Sequence, residues 1–246
     1  MRSMLLTMLQ HAALPLAALS SSAGRYGGQN DTVALQATID AAAGGGGGVV
    51  VLPAGKTFVS WSLTLRSNIV LRIDGTLAID GDPYASWHGR KALLAGSKIR
   101  NTTVTGEGTI QGNGHAWWPL RRKNYKFFAP RIFACDHCEK VTLSQLRVYN
   151  TPAWAIGFEA GKSILVDGIA LESPHDSPNT DGVDMDCAGS IHEPCVLRNS
   201  RIYNGDDEVA VGGANVLVED CEFGTYKRFL TDPCQVNSSS NLCCSS

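Results

Sequence analysis

The sequence predicts an all-β fold, a right-handed parallel β-helix whose coils stack as a solenoid, with a short capping helix at the N-terminal end. Three observations predict it. Short apolar strand segments recur along most of the chain, they repeat one local template at intervals of about 20 to 25 residues, and no helical pattern intervenes between them. A β-sandwich built from the same strands has the same alternation, so periodicity alone leaves that alternative open.

The elements follow in order. Asp31 to Ala43 (DTVALQATIDAAA) places Val33, Leu35, Ile39 and Ala42 on one helical face, and the glycines from Gly44 to Gly48 end it. Val49-Val50-Val51-Leu52-Pro53 reads as a buried strand entering a turn. Further strands are expected at Leu63–Leu65, Ile69–Ile73, Thr102–Thr105, Val141–Leu143, Ile164–Val166, Cys195–Leu197 and Val216–Val218. The template is an apolar triplet, then polar residues often including Gly, then a second apolar strand, as in KVTLSQLRVYN, SILVDGIALES, PCVLRNSRIYN and ANVLVEDCEFG. With Leu143, Val166, Leu197 and Val218 taken as equivalent, the steps are 23, 31 and 21 residues, the longest containing an inserted loop.

At 246 residues, 43% hydrophobic and 18% charged, the chain can build one globular core. The 21 basic and 23 acidic residues leave a net charge of −2 with no basic block, which removes the electrostatic basis for a nucleic-acid partner. Residues 1–23 read as a secretory signal peptide: Arg2, a mostly apolar run from Met4 to Leu19, then small residues from Ser20 to Ala23. That run is too short and interrupted to span a membrane. Residues 24–224 are assigned to the β-helix domain and 225–246 to a divergent, low-order tail, and a secreted monomer is expected. Eight cysteines fit an oxidising compartment, and Cys135-Asp136-His137-Cys138, lacking a second metal-spaced pair, points to a disulfide or burial rather than a metal. Asn30, Asn101 and Asn237 open glycosylation sequons.

Two acidic clusters carry the chemistry, Asn179-Thr180-Asp181-Gly182-Val183-Asp184 and Gly205-Asp206-Asp207-Glu208. Asp181 and Asp207 are 26 residues apart and can occupy neighbouring coils, at the interstrand spacing of about 4.8 Å. Burial and like-charge repulsion lift one of a crowded set above the ordinary carboxylate pKa of about 4, so that one group donates a proton while another stays a base. Glycosidic bonds are split by such pairs. Asp and Gly are also common turn residues, and what favours a site over two turns is their joint register on a repeat. Adjacent strand residues point to opposite faces, so Asp206 and Asp207 require a bend, which Gly205 permits.

With DTVALQATIDAAAGGGGGVVVLPAGKTF near the start, VTGEGTIQGNGHAWW from Val104 to Trp118 and SPNTDGVDMD from Ser177 to Asp186, the stretch Asp31–Gly224 resembles the polygalacturonases, glycoside hydrolase family 28. The resemblance implies a β-helix with an open cleft on one sheet, an extracellular or cell-wall location, pectin as the polysaccharide partner, and hydrolysis of α-1,4-linked galacturonate with inversion and no cofactor or metal. It implies Asp206 as general acid, Asp181 and Asp207 as the base holding the attacking water, and Asn179 in the same cleft. Where the family has Cys after the Asp pair this chain has Glu208, and where the next strand ends in Lys it has Gly212-Gly213. The family's Gly-His-Gly and Arg-x-Lys motifs, implied after Cys221, do not occur. The resemblance therefore implies a member incomplete at its C-terminal end, with weakened or absent activity, and Lys227-Arg228 reads as a solvated pair rather than a replacement.

Trp117 and Trp118 are expected to pack at a coil edge. His115 sits in a turn without an identifiable partner, and His175 and His192 are loop residues flanking the Asp181 insertion. Arg121, Arg122, Lys123 and Lys126, interleaved with Tyr125, Phe127 and Phe128, form either a solvated loop or an attractor for an anionic polymer. Rival functions are hydrolysis of rhamnogalacturonan, carbohydrate binding without catalysis, and a calcium-dependent lyase on a similar helix.

Overall fold

The computed structural model describes residues 13–15, 31–84, 91–224 and 234–235. Most of the proposed leader and tail, the sequons at Asn30 and Asn237, and Lys227-Arg228 lie outside the described residues.

Helix α1 (Thr32–Gly44) buries Leu35, Ile39 and Ala42 over the first coil, while Val33 is 81% exposed. The expected face was therefore one residue too wide: Val33 lies two residues, about 200° of helical rotation, from Leu35 and so points away from the coil that Thr32 already meets through Trp61 N. Asp31 closes the helix start differently from a side-chain cap: its carboxylate accepts the Val59 N–H at 2.8 Å, tying α1 to the first coil.

From Gly48 onward the chain winds through three sheets in fixed order. Sheet A collects Gly48–Leu52, Ile69–Ile73, Arg100–Thr105, Glu139–Ser144, Cys195–Arg198 and Val216–Glu219. Sheet B collects Thr57–Ser60, Thr76–Ile79, Thr109–Gln111, Arg147–Tyr149, Ala170–Glu172, Arg201–Tyr203 and Glu222–Gly224. Sheet C collects Leu63–Thr64, Ala92–Ser97, Arg131–Asp136, Val183–Cys187 and Val209–Gly213. One long strand, Ile156–Asp167, serves C with its first half and A with its second, shifting register between Phe158 and Gly161. Each strand of these coils pairs in parallel with its equivalent one coil away, and Cys234–Gln235 adds an antiparallel pair to Glu222–Gly224. This is a right-handed parallel β-helix, the hand that parallel crossovers take.

Inward side chains stack in columns. Val50, Leu71, Val104, Leu143, Val166, Leu197 and Val218 form one continuous ladder through sheet A, so the expected equivalence of the last four is borne out. All but the last are buried, Leu143 at 2% exposure. The turn from A to B is short, and in the last four coils Gln145, Gly168, Asn199 and Asp220 repeat a left-handed residue (φ 59, 67, 50 and 50°), each followed by a buried residue. Asn and Asp tolerate that conformation, which explains their recurrence at the corners. Long insertions instead enter between B and C, at 112–130 and 173–182. Trp117 and Trp118 pack there as expected, with Trp118 Nε1 donating to the Thr151 carbonyl at 3.0 Å. His115, expected to be alone, stands edge-on to Trp118 with ring centroids 4.4 Å apart.

Among the described residues, two disulfides tie corners of the solenoid, Cys135–Cys138 and Cys187–Cys195, the second closing the loop between sheets C and A after the Asp181 coil. Among the described residues, no helix is long and apolar enough to cross a membrane.

Replacing Leu143 by Ala should open a cavity between two stacked coils and lower stability by about 2–5 kcal/mol. A urea midpoint that falls with unchanged slope is the expected result; an unmoved midpoint would contradict the ladder.

Candidate active site

The B-to-C corner places the acidic clusters. Thr180 is buried, and its hydroxyl accepts the Gly205 N–H at 3.0 Å and pairs with Ser177 Oγ at 2.7 Å, which docks the two corner loops on each other. Their backbones approach closely at two glycines. A Cβ on Gly182 would lie 2.3 Å from the Glu208 carbonyl oxygen, and one on Gly205 would lie 2.1 Å from the Ser177 carbonyl oxygen. Either substitution would push the coils apart.

Gly182 N donates to the Asp207 carbonyl at 2.8 Å, so Asp181 and Asp207 are stacked neighbours, as their 26-residue spacing predicts. Asp206 and Asp207 precede the strand that starts at Val209, within the bend at Gly205 and not in the strand, which resolves the facing conflict. Asn204 holds that bend by accepting the Asp206 N–H and donating to the Asp207 carbonyl, each at 3.0 Å.

Asp181, Asp206 and Asp207 each bring a carboxylate oxygen within 4.8 Å of the others. Such oxygens suit a hard divalent cation as well as a proton, and exposed acidic groups gather without either role. Asn179, left-handed at φ 51°, donates to Asp206 Oδ2 at 3.3 Å. Asp206 and Asp207 are exposed, whereas Asp181 is half-buried with its Oδ1 out of reach of solvent and of any hydrogen-bond donor among the described residues. That burial, helped by the charges of Asp206, Asp184 and Asp207, pushes the Asp181 carboxyl up to about 7. Asp184, one residue into sheet C, is also raised by burial, against the opposing pull of Arg131.

Two groups at the site, Arg131 and Trp154, carried no assignment in the sequence, and Arg121 was read only as part of a basic stretch. Strand register, extended to the residues just before each strand, stacks Arg131, Trp154, Asp181 and Asp207 in one column over four coils. The Arg131 guanidinium carbon lies 4.4 Å from the centre of the Trp154 ring. Arg121 in α2 (Trp118–Lys123) donates to Asn179 Oδ1 at 3.0 Å, and Arg122 pairs with Asp176 at 3.0 Å. The basic stretch is thus anchored over the corner. The signal for the column lay in the steps of 23, 27 and 26 residues, which emerge only once the strand pairs are known.

The family model of the glycosyl hydrolases family 28 matches residues 48–226. The chain belongs to that family. Among curated family-28 relatives, the polygalacturonase of Chamaecyparis obtusa is 29% identical over 208 residues, covering 79% of this chain and 39% of its own length. A probable polygalacturonase of Vitis vinifera is 30% identical over 235 residues, covering 84% and 47%. The chain therefore spans less than half the length of these family-28 relatives. The solved polygalacturonase of Erwinia carotovora superposes with a TM-score of 0.70 at 25% identity, over 80% of this chain and 60% of its own.

Because folding raises the Asp181 carboxyl, the folded chain keeps a proton that the unfolded chain releases between about pH 4 and 7. This group's contribution to stability declines as pH rises through that window. Thermal melts should show Asp181→Asn gaining on the parent as pH is raised from about 5 to about 8; parallel curves would refute the raised carboxyl.

Proposed function

We propose that this chain carries the catalytic cleft of a secreted polygalacturonase-type hydrolase that cleaves α-1,4-galacturonosyl linkages of pectin. One observation carries the reading: three carboxylates from adjacent coils converge at an open corner of a family-28 β-helix, and burial lifts one of them towards neutrality. Crowded carboxylates in unequal surroundings supply an acid and a base at one pH. The polygalacturonase relatives support the substrate class. Two disulfides fit an oxidising compartment and support export.

In this reading Asp206 protonates the departing glycosidic oxygen while Asp181 and Asp207 hold and deprotonate a water that attacks the anomeric carbon, inverting it. Asn179 orients Asp206 through its amide. The carboxylate oxygens lie closer together than the roughly 6.5–9.5 Å of most inverting pairs, so inversion rests on the family likeness and not on this spacing. A second assignment is favoured by one observation, the raised Asp181 carboxyl, which makes Asp181 the resident proton holder of the free site.

Reducing ends released from polygalacturonate test the activity. Turnover below that of the full-length relatives is expected, and Asp206→Asn should lower it by about 10²–10⁴-fold. Binding without any cleavage by the unaltered chain would instead favour a carbohydrate-binding protein. An aryl galacturonide with an activated leaving group separates the two assignments, since the variant lacking the acid is the one that keeps its rate. Retention by Asp181→Asn and not by Asp206→Asn would reverse the roles.

A further inference from the structure

Beside the carboxylates, on the side of the earlier coils, lies a cavity of about 310 Å³ lined by Arg121, Tyr125, Arg131, Trp154 and Asn179 together with the small side chains of Ala129 and Ala153. Its two arginines keep donors that the fold does not use. Nε of Arg121 is buried without a hydrogen-bond partner, while its other nitrogens donate to Asn179 and the Phe127 carbonyl. Among the described residues no acceptor takes a hydrogen bond from the half-buried Arg131 guanidinium, which lies on the Trp154 ring and feels Asp184, Asp181 and Glu159 only through their charge. A guanidinium presents five donors in a planar fork that matches a carboxylate.

The chain makes room for this placement. Gly157 follows Trp154 by three residues on the outer face of sheet C, and a Cβ there would sit 2.1 Å from Arg131 Nη1. The glycine is a slot that leaves room for the guanidinium against the sheet. Trp154 remains 39% exposed despite its cation partner, leaving aromatic surface open at the cavity wall.

We propose that this cavity is the subsite for one acidic sugar of the polymer on the earlier-coil side of the carboxylates, with Arg121 and Arg131 taking the sugar carboxylate and Trp154 flanking its ring. The inference rests on the proposed function and extends it by naming the subsite and the charge that it selects. Arg121 also donates to Asn179, which donates to Asp206, so occupancy of the subsite is wired to the catalytic cluster.

The test uses the Asp206→Asn chain, chosen because its expected slow turnover keeps the ligand intact during a titration, and titration calorimetry with trigalacturonate and its methyl ester. Arg121→Gln, Arg131→Gln and Gly157→Ala in that background should each weaken trigalacturonate by roughly 10- to 100-fold, the loss of a charge-assisted contact. The ester should bind weakly to the parent and equally to all variants. Gly157→Ala is the sharpest arm, because it displaces only the mobile end of Arg131 and keeps the charge. Unchanged trigalacturonate affinity in Arg131→Gln and Gly157→Ala, or equal losses for acid and ester, overturns the subsite. So does an Arg131→Gln enzyme whose kcat–pH profile shifts while its KM stays fixed, since Arg131 would then act on Asp184 and Asp181 alone. Cleavage by the unaltered chain with unaltered variant binding removes the subsite and leaves the function standing; failure to bind or cleave any acidic oligomer removes both.

Discussion

Everything in this molecule depends on parallel strands pairing in register from coil to coil. A single coil has three short strands and cannot bury its own inner face; stacking supplies both the hydrogen bonds and the apolar contacts that it lacks. The Val50-to-Val218 ladder is the result, with Leu143 and Val166 each sandwiched by the coil on either side. Because the A-to-B turn of the last four coils is a repeated left-handed corner closed over a buried residue, extra length has no place there. It goes to the B-to-C corner, and the chemistry goes with it.

That corner concentrates charge that a globular core would reject. Asp181 and Asp184 each turn one oxygen away from water and from any donor, a costly arrangement for ionised carboxylates. Two responses coexist. Asp181 takes up a proton more readily, and the Arg131 cation, itself partly desolvated, offsets Asp184 and Asp181 across the Gly157 slot. Exposed Asp206 and Asp207 stay in contact with solvent above them. The four acids are thus set in unequal surroundings, first by depth and then by the charges beside them.

The solenoid was legible in the sequence because the inner residues of successive coils are apolar and the A-to-B turns keep their length: Leu143, Val166, Leu197 and Val218 align without any knowledge of pairing. Asp181 and Asp207 were legible for the same reason, with the Asn-Thr-Asp and Gly-Asp-Asp motifs adding the family likeness. Arg131 and Trp154 were not, and Arg121 was legible only as one member of a basic stretch. Their function comes from a column whose steps differ at each coil, and from a helix that folds back over it. Gly157 carries no signal of its own in the sequence, because what requires it is the Arg131 side chain in the space in front of it. Val33 failed in the opposite direction, since its two-residue separation from Leu35 puts it on the far side of the helix, whatever its apolar character.

The column Arg131, Trp154, Asp181, Asp207 draws one residue from each of four layers. In a strand, a slip of one position turns every side chain to the opposite face. A single misaligned layer would therefore remove one member of the column and seat another residue in its place, even if the apolar interior absorbed the error. Chemistry at this corner is thus a readout of winding fidelity: only a chain that has counted its coils correctly assembles the charges that the site needs.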